Sequence, residues 1–527
     1  MKIRKYILYS SLIAVLGVVS SCDDYLDTLP DNRTEIDTKE KVSELLTSAY
    51  PSANPSYLFE MASDNTDDQA NLYKAYDRFQ TEAYQWDDIT DVSANESPQN
   101  LWEKYYSAVN TANTALQAIE KLGEESLKTQ KAEALLCRAY AEFVLANIFC
   151  ESYSELTAGS KMGLPYPTEP ETTVDPKYDR GTLAELYKKI DADIETALPL
   201  LNNPTYTVPS YHFNPKAAYA FAARFNLYYR KYDKVETYAT KALGEVPSAV
   251  LRDWYSWNQL SENDQIRPNA YINSDVQANF LLQSVYSLWG VIGGPYRTGN
   301  KYGHGTYIAN TETTGAKGPW GSNKSVLYYG VFSNSSVARI IVRKIGYYFE
   351  YTDRSSGIGY AHSVYSVFNA EETLLCRAEA YALQQKYDKA VADINTLLKA
   401  FSSSPGITLE SIKTFYNGTA EIPGINYYTA TAPTVKKKLN ADFSIEPETQ
   451  EPLLQCILQL RRLLTLHEGL RWQDIKRYGI VIYRREMNAN MKVGAVTDSL
   501  TVNDPRRAIQ LPQDVITAGL TANPRNK

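Results

Sequence analysis

His467-Glu468 opens like the H-E-x-x-H helix of a zinc protease, but Arg471 stands where the second histidine must be. The chain holds only four histidines, His212, His304, His362 and His467, scattered along its length. Metal-ligating sites and Ser-His-Asp triads need histidines gathered, so neither is expected. No G-x-S-x-G elbow occurs. Gly294-Pro295-Tyr296-Arg297-Thr298-Gly299 has the glycine spacing of a phosphate loop, yet Asn300 replaces the lysine that would reach the phosphates. Asp64, Asp67, Asp68, Asp87, Asp88 and Asp91 gather in one stretch. Two opposed carboxylates suffice for glycoside hydrolysis, but sequence cannot pair them. The favoured reading is a solvated acidic loop, or one that binds Ca²⁺ or sugar hydroxyls. The expectation is therefore a protein without catalysis, with no cofactor beyond an optional structural calcium.

The aromatic residues point to binding. Tyrosine numbers 42, against 7 Trp and 14 Phe. Its apolar face and polar tip suit half-exposed layers. Sugar rings stack their C–H faces on aromatic planes while their hydroxyls seek a polar rim. The candidates are Trp257, Trp289, Tyr296 and Trp320 in a long central insertion, with Asp68, Asn71, Arg78 and Trp86 in the loop over 64–100. For each alone, core packing weighs as much as ligand contact; for the set, contact by some members is expected. A formal charge of −7 argues against a general nucleic-acid binder, which needs surplus Lys and Arg.

The N-terminus fixes a compartment. Lys2, Arg4 and Lys5 precede an apolar run from Ile7 to Val19, too short to span a bilayer comfortably, which reads as a secretory signal over residues 1–21. Val19-Ser20-Ser21-Cys22 is similar to the lipobox of bacterial lipoproteins, which implies diacylglycerol on the Cys22 thiol. The acidic run Asp23-Asp24-Tyr25-Leu26-Asp27 resembles a surface-export address; the alternative is an ordinary signal with an incidental cysteine. Cys137, Cys150, Cys376 and Cys456 sit mostly in apolar helical settings and read as buried free thiols. A Cys137–Cys150 disulfide is geometrically doubtful.

The elements that must position these residues are mostly helices. Asp37 and Glu40 are spaced as a capping box for a helix ending before Pro51. Trp102, Tyr105, Val109, Ala112, Leu116 and Ile119 alternate steps of three and four up to Gly123. Further helices are predicted over about 126–149 and 182–198, with pairs over about 215–243, 369–400 and 450–482. Residues 52–100 read as irregular. Leu135-Leu136-Cys137-Arg138-Ala139 recurs as Leu374-Leu375-Cys376-Arg377-Ala378, and Lys231-Tyr232-Asp233-Lys234 as Lys386-Tyr387-Asp388-Lys389. Paired helices meeting at small residues and a Tyr-Asp turn are the mark of tetratricopeptide-like hairpins. The fold class is therefore mostly α, an interrupted array of such hairpins. Its scaffold covers about 37–243 and 367–483 within one domain, 22–527. The insertion, about 245–366, is irregular and glycine-rich, with strand character only at Val326–Phe332 and Val337–Tyr351.

Near the C-terminus, His467-Glu468-Gly469-Leu470-Arg471-Trp472-Gln473-Asp474-Ile475-Lys476-Arg477 resembles the E-G-x-R-W-x-D-x-x-R stretch of the SusD/RagB family. Leu511-Pro512 and Asn523-Pro524-Arg525 are similar to that family's closing segment, and Arg138-Ala139-Tyr140, Gly163-Leu164-Pro165 and Arg180-Gly181-Thr182 to its earlier motifs. Leu460 and Leu464 stand where the family usually has acids, which predicts weakened ion pairing around Arg461 and Arg462; Arg525 replaces a usual glycine. Within the signature, Glu468, Arg471 and Asp474 are spaced i,i+3 and are expected to form a ladder on one helix with Trp472 packed beneath. The resemblance implies a SusD-like α-array acting as an outer-membrane, cell-surface lipoprotein. It would bind glycans, or in some members peptides, and pass them to a SusC-like TonB-dependent transporter. A surface glycoside hydrolase is the least favoured alternative.

Overall fold

The computed structural model describes residues 35–69, 73–173, 177–201, 206–262, 265–293, 300–334, 339–488, 490 and 492–525. The signal segment 1–21, Cys22, Asn71 and Tyr296 lie outside them.

Helix α1, Lys39–Leu46, starts one residue later than the capping pattern predicts. Thr38 is the N-cap, its hydroxyl accepting from the Lys41 amide, while Asp37 pairs with the Lys41 ammonium at 2.6 Å. Two short helices, α2 (Ser56–Ala62) and α3 (Arg78–Gln85), occupy the stretch expected to be irregular. Every residue of α2 is buried, so it has no polar face to set up a readable period.

The long helices follow their sequence signals closely. Helix α4, Pro98–Leu122, is capped by Ser97 with Pro98 in its first turn and stops at Gly123, whose φ is +93°. Helix α5 is Lys128–Phe149, and α6, Leu183–Ala197, opens on a capping box between Thr182 and Glu185. The first predicted pair is α7 (Pro215–Tyr229) with α8 (Tyr232–Leu243); α9 is the short Trp254–Gln259. The second pair is α10 (Ala370–Leu383) with α11 (Tyr387–Phe401). Then come α12 (Gln450–Leu464) and α13 (Leu470–Arg477).

The repeated Leu-Leu-Cys-Arg-Ala segments do the same mechanical work twice. Arg138 on α5 grips Asp193 on α6 at 2.7 and 2.8 Å, and Arg377 on α10 grips Asp393 on α11 with two 2.8 Å bonds. Each aspartate lies in an Ala-Asp-Ile triplet, at 192–194 and 392–394. Parallel, bidentate guanidinium–carboxylate bonds fix both distance and rotation between neighbouring helices. The adjacent Cys137 and Cys376 are buried free thiols, as are Cys150 and Cys456, and no Cys137–Cys150 disulfide forms.

The strands are less legible. In one antiparallel sheet, β2 (Asn279–Tyr286) pairs with β5 (Ile358–Asn369), which pairs with β4 (Tyr348–Asp353). A second sheet has the order β7 (Val493–Leu500), β6 (Ile482–Met487), β1 (Asp67–Asp68), β3 (Tyr302–Gly303). Its β1–β6 pairing is parallel, Asp68 facing Glu486, and closes the N-terminal segment on the C-terminal one. Of the strand predicted over Val326–Phe332, Val326 ends a helical turn, Asn323–Val326, and only Val331 and Phe332 lie in a strand, Val331–Asn334, which pairs with Arg339–Val342. No described helix is long and apolar enough to cross a membrane.

Candidate functional site

Four of the candidate aromatics are core residues. Trp86, Trp257, Trp289 and Trp320 are each 4% exposed, and each indole N–H has a fixed acceptor. Trp86 donates to the Ala62 carbonyl at 2.8 Å while the Arg484 guanidinium lies 3.9 Å from its ring. Trp257 donates to Arg267 O at 3.0 Å, Trp289 to His467 O at 2.8 Å, and Trp320 to Asn323 Oδ1 at 2.8 Å. Trp289 also stacks on Tyr57 at 4.9 Å. The four rings offer no free face for a sugar, because burying an indole and satisfying its single donor is worth more to the fold than leaving it wet. Arg78 is at the surface, donating to Thr90 O at 3.2 Å. Asp68 is half-buried, 3.4 Å from the Lys301 ammonium.

The acidic stretch is not one solvated loop. Asp64 accepts two bonds from Arg471, at 2.8 and 2.9 Å, with Lys437 3.4 Å and Arg462 3.5 Å away. Asp67 accepts from Arg485 at 2.9 Å. Glu312 joins these groups through Lys437 at 2.6 Å, Arg462 at 3.1 Å and Arg485 at 3.2 Å. Burial opposes ionisation of Glu312, but Lys437, Arg485 and Arg462 hold its pKa down at about 2. Asp91 accepts from the Ser93 and Phe79 amides and organises the turn after α3. Among the described residues no group of three or more His, Cys, Asp or Glu could hold a metal ion.

The signature residues are scaffold, though not as a ladder. Glu468 accepts from the Tyr271 hydroxyl at 2.7 Å and from Lys344 at 3.1 Å, and Arg471 reaches Asp64. Asp474 binds Arg477 at 2.7 Å, the one i,i+3 pair that forms, and Arg461 at 3.2 Å. Trp472 is fully buried. Leu460 and Leu464 do not leave the neighbouring arginines unpaired: Arg461 binds Glu372 at 2.7 Å and Arg462 binds Glu312. Acids distant in sequence replace the local ones.

The insertion does present aromatic side chains to solvent, from its sheet. Tyr286 on β2 and Tyr348 on β4 both lie opposite His362 on β5, and Glu350 lies opposite Tyr360. Opposed residues and alternate residues share a face, so Tyr286, Tyr348, Glu350, Tyr360 and His362 form one surface. Tyr286 is 38% and Tyr360 55% exposed, their rings meeting edge-on at 5.4 Å. Tyr348 packs on His362 at 5.5 Å and donates its hydroxyl to Asn269 at 2.7 Å. The reverse face carries Phe349 and Tyr351, 4.8 Å apart. Gly359 is required beneath Phe349, because a Cβ there would lie 2.7 Å from the ring and 2.0 Å from the Glu350 carbonyl. Of the tyrosines on the first face only Tyr348 carries a sequence signal, the run Tyr347-Tyr348-Phe349-Glu350-Tyr351 within the predicted strand Val337–Tyr351; Tyr286 and Tyr360 stand outside any stretch the sequence marks as a site.

The described residues thus form an array of helical hairpins that carries a sheet with aromatic side chains exposed on its face. Residues 24–227 match the SusD-like family model described as starch-binding and associating with the outer membrane. Solved structures extend the likeness in fold over nearly the whole chain. A SusD superfamily protein from Bacteroides thetaiotaomicron is 17% identical with a TM-score of 0.62, covering 93% of this chain and 100% of that one. A SusD superfamily protein from Bacteroides vulgatus is also 17% identical, with a TM-score of 0.61 and coverage of 93% and 99%. A SusD-like carbohydrate binding protein from Bacteroides vulgatus is 15% identical, with a TM-score of 0.56 and coverage of 91% and 96%. A comparison with curated proteins returns no match.

Proposed function

We propose that this protein captures glycans at the cell surface without chemically altering them, held to the outer membrane through acylated Cys22, and passes them to a SusC-like TonB-dependent transporter packed against the helical repeats. The observation that carries the binding step is the Tyr286–Tyr360 pair, two half-open rings inclined at 62° to each other on a sheet whose polar neighbours, Glu350 and His362, lie within the same face. Such a surface offers C–H stacking and a hydrogen-bonding rim together. The family description and the carbohydrate-binding relative support the same ligand class. The carboxyls whose pKa burial raises to about 7, Glu60 and Glu96, are both sealed in the interior, which supports a role without acid–base chemistry.

Calorimetric titration with oligosaccharides tests the reading. Tyr360→Ala should weaken binding about 2- to 12-fold, since a stacked ring contributes about 0.5–1.5 kcal/mol beyond area burial. Unaltered affinity would remove this face from the site. Peptide capture is the second reading, favoured by the position of β4 at the open edge of its sheet. An extended peptide could add there as a further strand. Peptides that bind where oligosaccharides do not would decide for it.

A further inference from the structure

A cleft of about 190 Å³ lies between the end of α5 with its following loop, the α7–α8 turn, the end of α13 and the segment 502–507. Its wall includes three carboxylates, Glu151, Asp442 and Asp504. Each is already occupied by another cation: Glu151 by Lys161 at 2.8 Å, Asp442 by Arg230, and Asp504 by Arg506 at 2.7 Å. Its wall also includes Lys476 and Arg507, 7% and 5% exposed. Among the described residues neither has a carboxylate within ion-pair distance.

Their hydrogen bonds go to backbone carbonyls. The Lys476 ammonium donates to Asn147 O at 2.8 Å and Cys150 O at 2.7 Å, closing the C-terminus of α5. Arg507 donates to Thr501 O at 2.7 Å, Ile475 O at 3.0 Å, Ile480 O at 2.7 Å and Leu500 O at 3.3 Å. Carbonyl dipoles at helix ends favour a cation but carry no formal charge. By donor count one N–H of Lys476 and one of Arg507 remain unused. Two adjacent buried cations without a counter-charge are costly unless an anion joins them.

We propose that this cleft is a binding site for a small oxyanion group, a carboxylate or sulfate, seated between Lys476 and Arg507. The volume is below the ~300 Å³ at which drug-sized pockets begin, so the cleft takes one charged group or one acidic sugar unit, not a chain. Burial draws the Lys476 pKa down to about 8 and that of Arg507 to about 10, the strain expected where a neutralising partner is lacking. The proposal does not depend on the aromatic face: a chain lacking Tyr360 should bind the oxyanion as the unaltered protein does.

The test is calorimetric titration of the chain with sodium glucuronate, sodium sulfate, glucose and sodium chloride at matched ionic strength. Saturable binding of glucuronate, sulfate or both, absent for glucose and chloride, is the expected result; which of the two binds separates an acidic sugar from a sulfate source. Lys476→Gln keeps two N–H donors for the α5 carbonyls while removing the charge, and should weaken binding about 10-fold or more. No saturable binding of either oxyanion, equal binding of glucose, or an unchanged affinity in Lys476→Gln overturns the proposal. Should that variant fail to fold, the four titrations of the unaltered chain decide.

Discussion

Arg471 and Asp64, 407 positions apart in the chain, are joined by two parallel hydrogen bonds of 2.8 and 2.9 Å in a fully buried setting. The pair ties the signature helix α13 to the turn that follows α2, and so the last part of the chain to the first. Burial works against the Asp64 carboxylate, yet Arg462, Arg471 and Lys437 hold its pKa well below the usual carboxylate range. Arg471→Met would leave Asp64 without the bidentate partner it has among the described residues. Urea denaturation should show a loss of about 3–5 kcal/mol, the usual cost of breaking a buried ion pair from one side.

Glu96 provides a pH signature. Burial raises its pKa from 4.5 to about 7, and the Ser287 hydroxyl bonded at 2.6 Å only partly offsets this. The unfolded chain releases this proton near pH 4.5 while the folded chain keeps it to about 7, so stability falls as pH rises through that window. Glu96→Gln should remove the loss and stabilise the protein by on the order of 2 kcal/mol at about pH 8, with little effect at about pH 4. Denaturation midpoints at the two pH values measure it.

Glu312 has the opposite sign. Its folded pKa of about 2 lies below the ordinary 4.5, so it contributes stability above 4.5 that is lost as pH falls towards 2. Glu312→Gln leaves Lys437, Arg462 and Arg485 short of a shared counter-charge and should cost about 3–5 kcal/mol at neutral pH. A chain whose acid transition is unaltered by the substitution would place the acid sensitivity elsewhere.

Trp257→Ala and Tyr360→Ala should separate fold from binding. The first removes a buried ring and its bond to Arg267, and should cost about 3–5 kcal/mol of stability. The second removes a half-exposed ring and should leave the melting temperature nearly unchanged while weakening oligosaccharide binding. Thermal melts and titrations on both variants are the measurement.

The four described cysteines should resist a thiol reagent in the folded protein and react together on unfolding, since burial raises the pKa of each, that of Cys150 to about 11. Early labelling of one thiol would report local opening of its helix.

Sequence by itself determined the helices and the repeat. Caps at Ser97 and Thr182, the stop at Gly123 and the doubled Leu-Leu-Cys-Arg-Ala motif are local signals, read within a few turns of chain, and the helices form where they stand. The short helix α2 was not legible, because burial on all sides erases the alternation that marks an element, and the first five residues of β2 are buried in the same unbroken way. Only the tertiary structure decided which aromatics face water. A tryptophan and a tyrosine carry the same ring-stacking promise in sequence, and it took Ala62, Arg267, His467 and Asn323, brought in by other segments, to bury four indoles and leave Tyr286 and Tyr360 outside. Exposure is a property of what packs against a residue, and that partner is chosen by folding, not by neighbours in the chain.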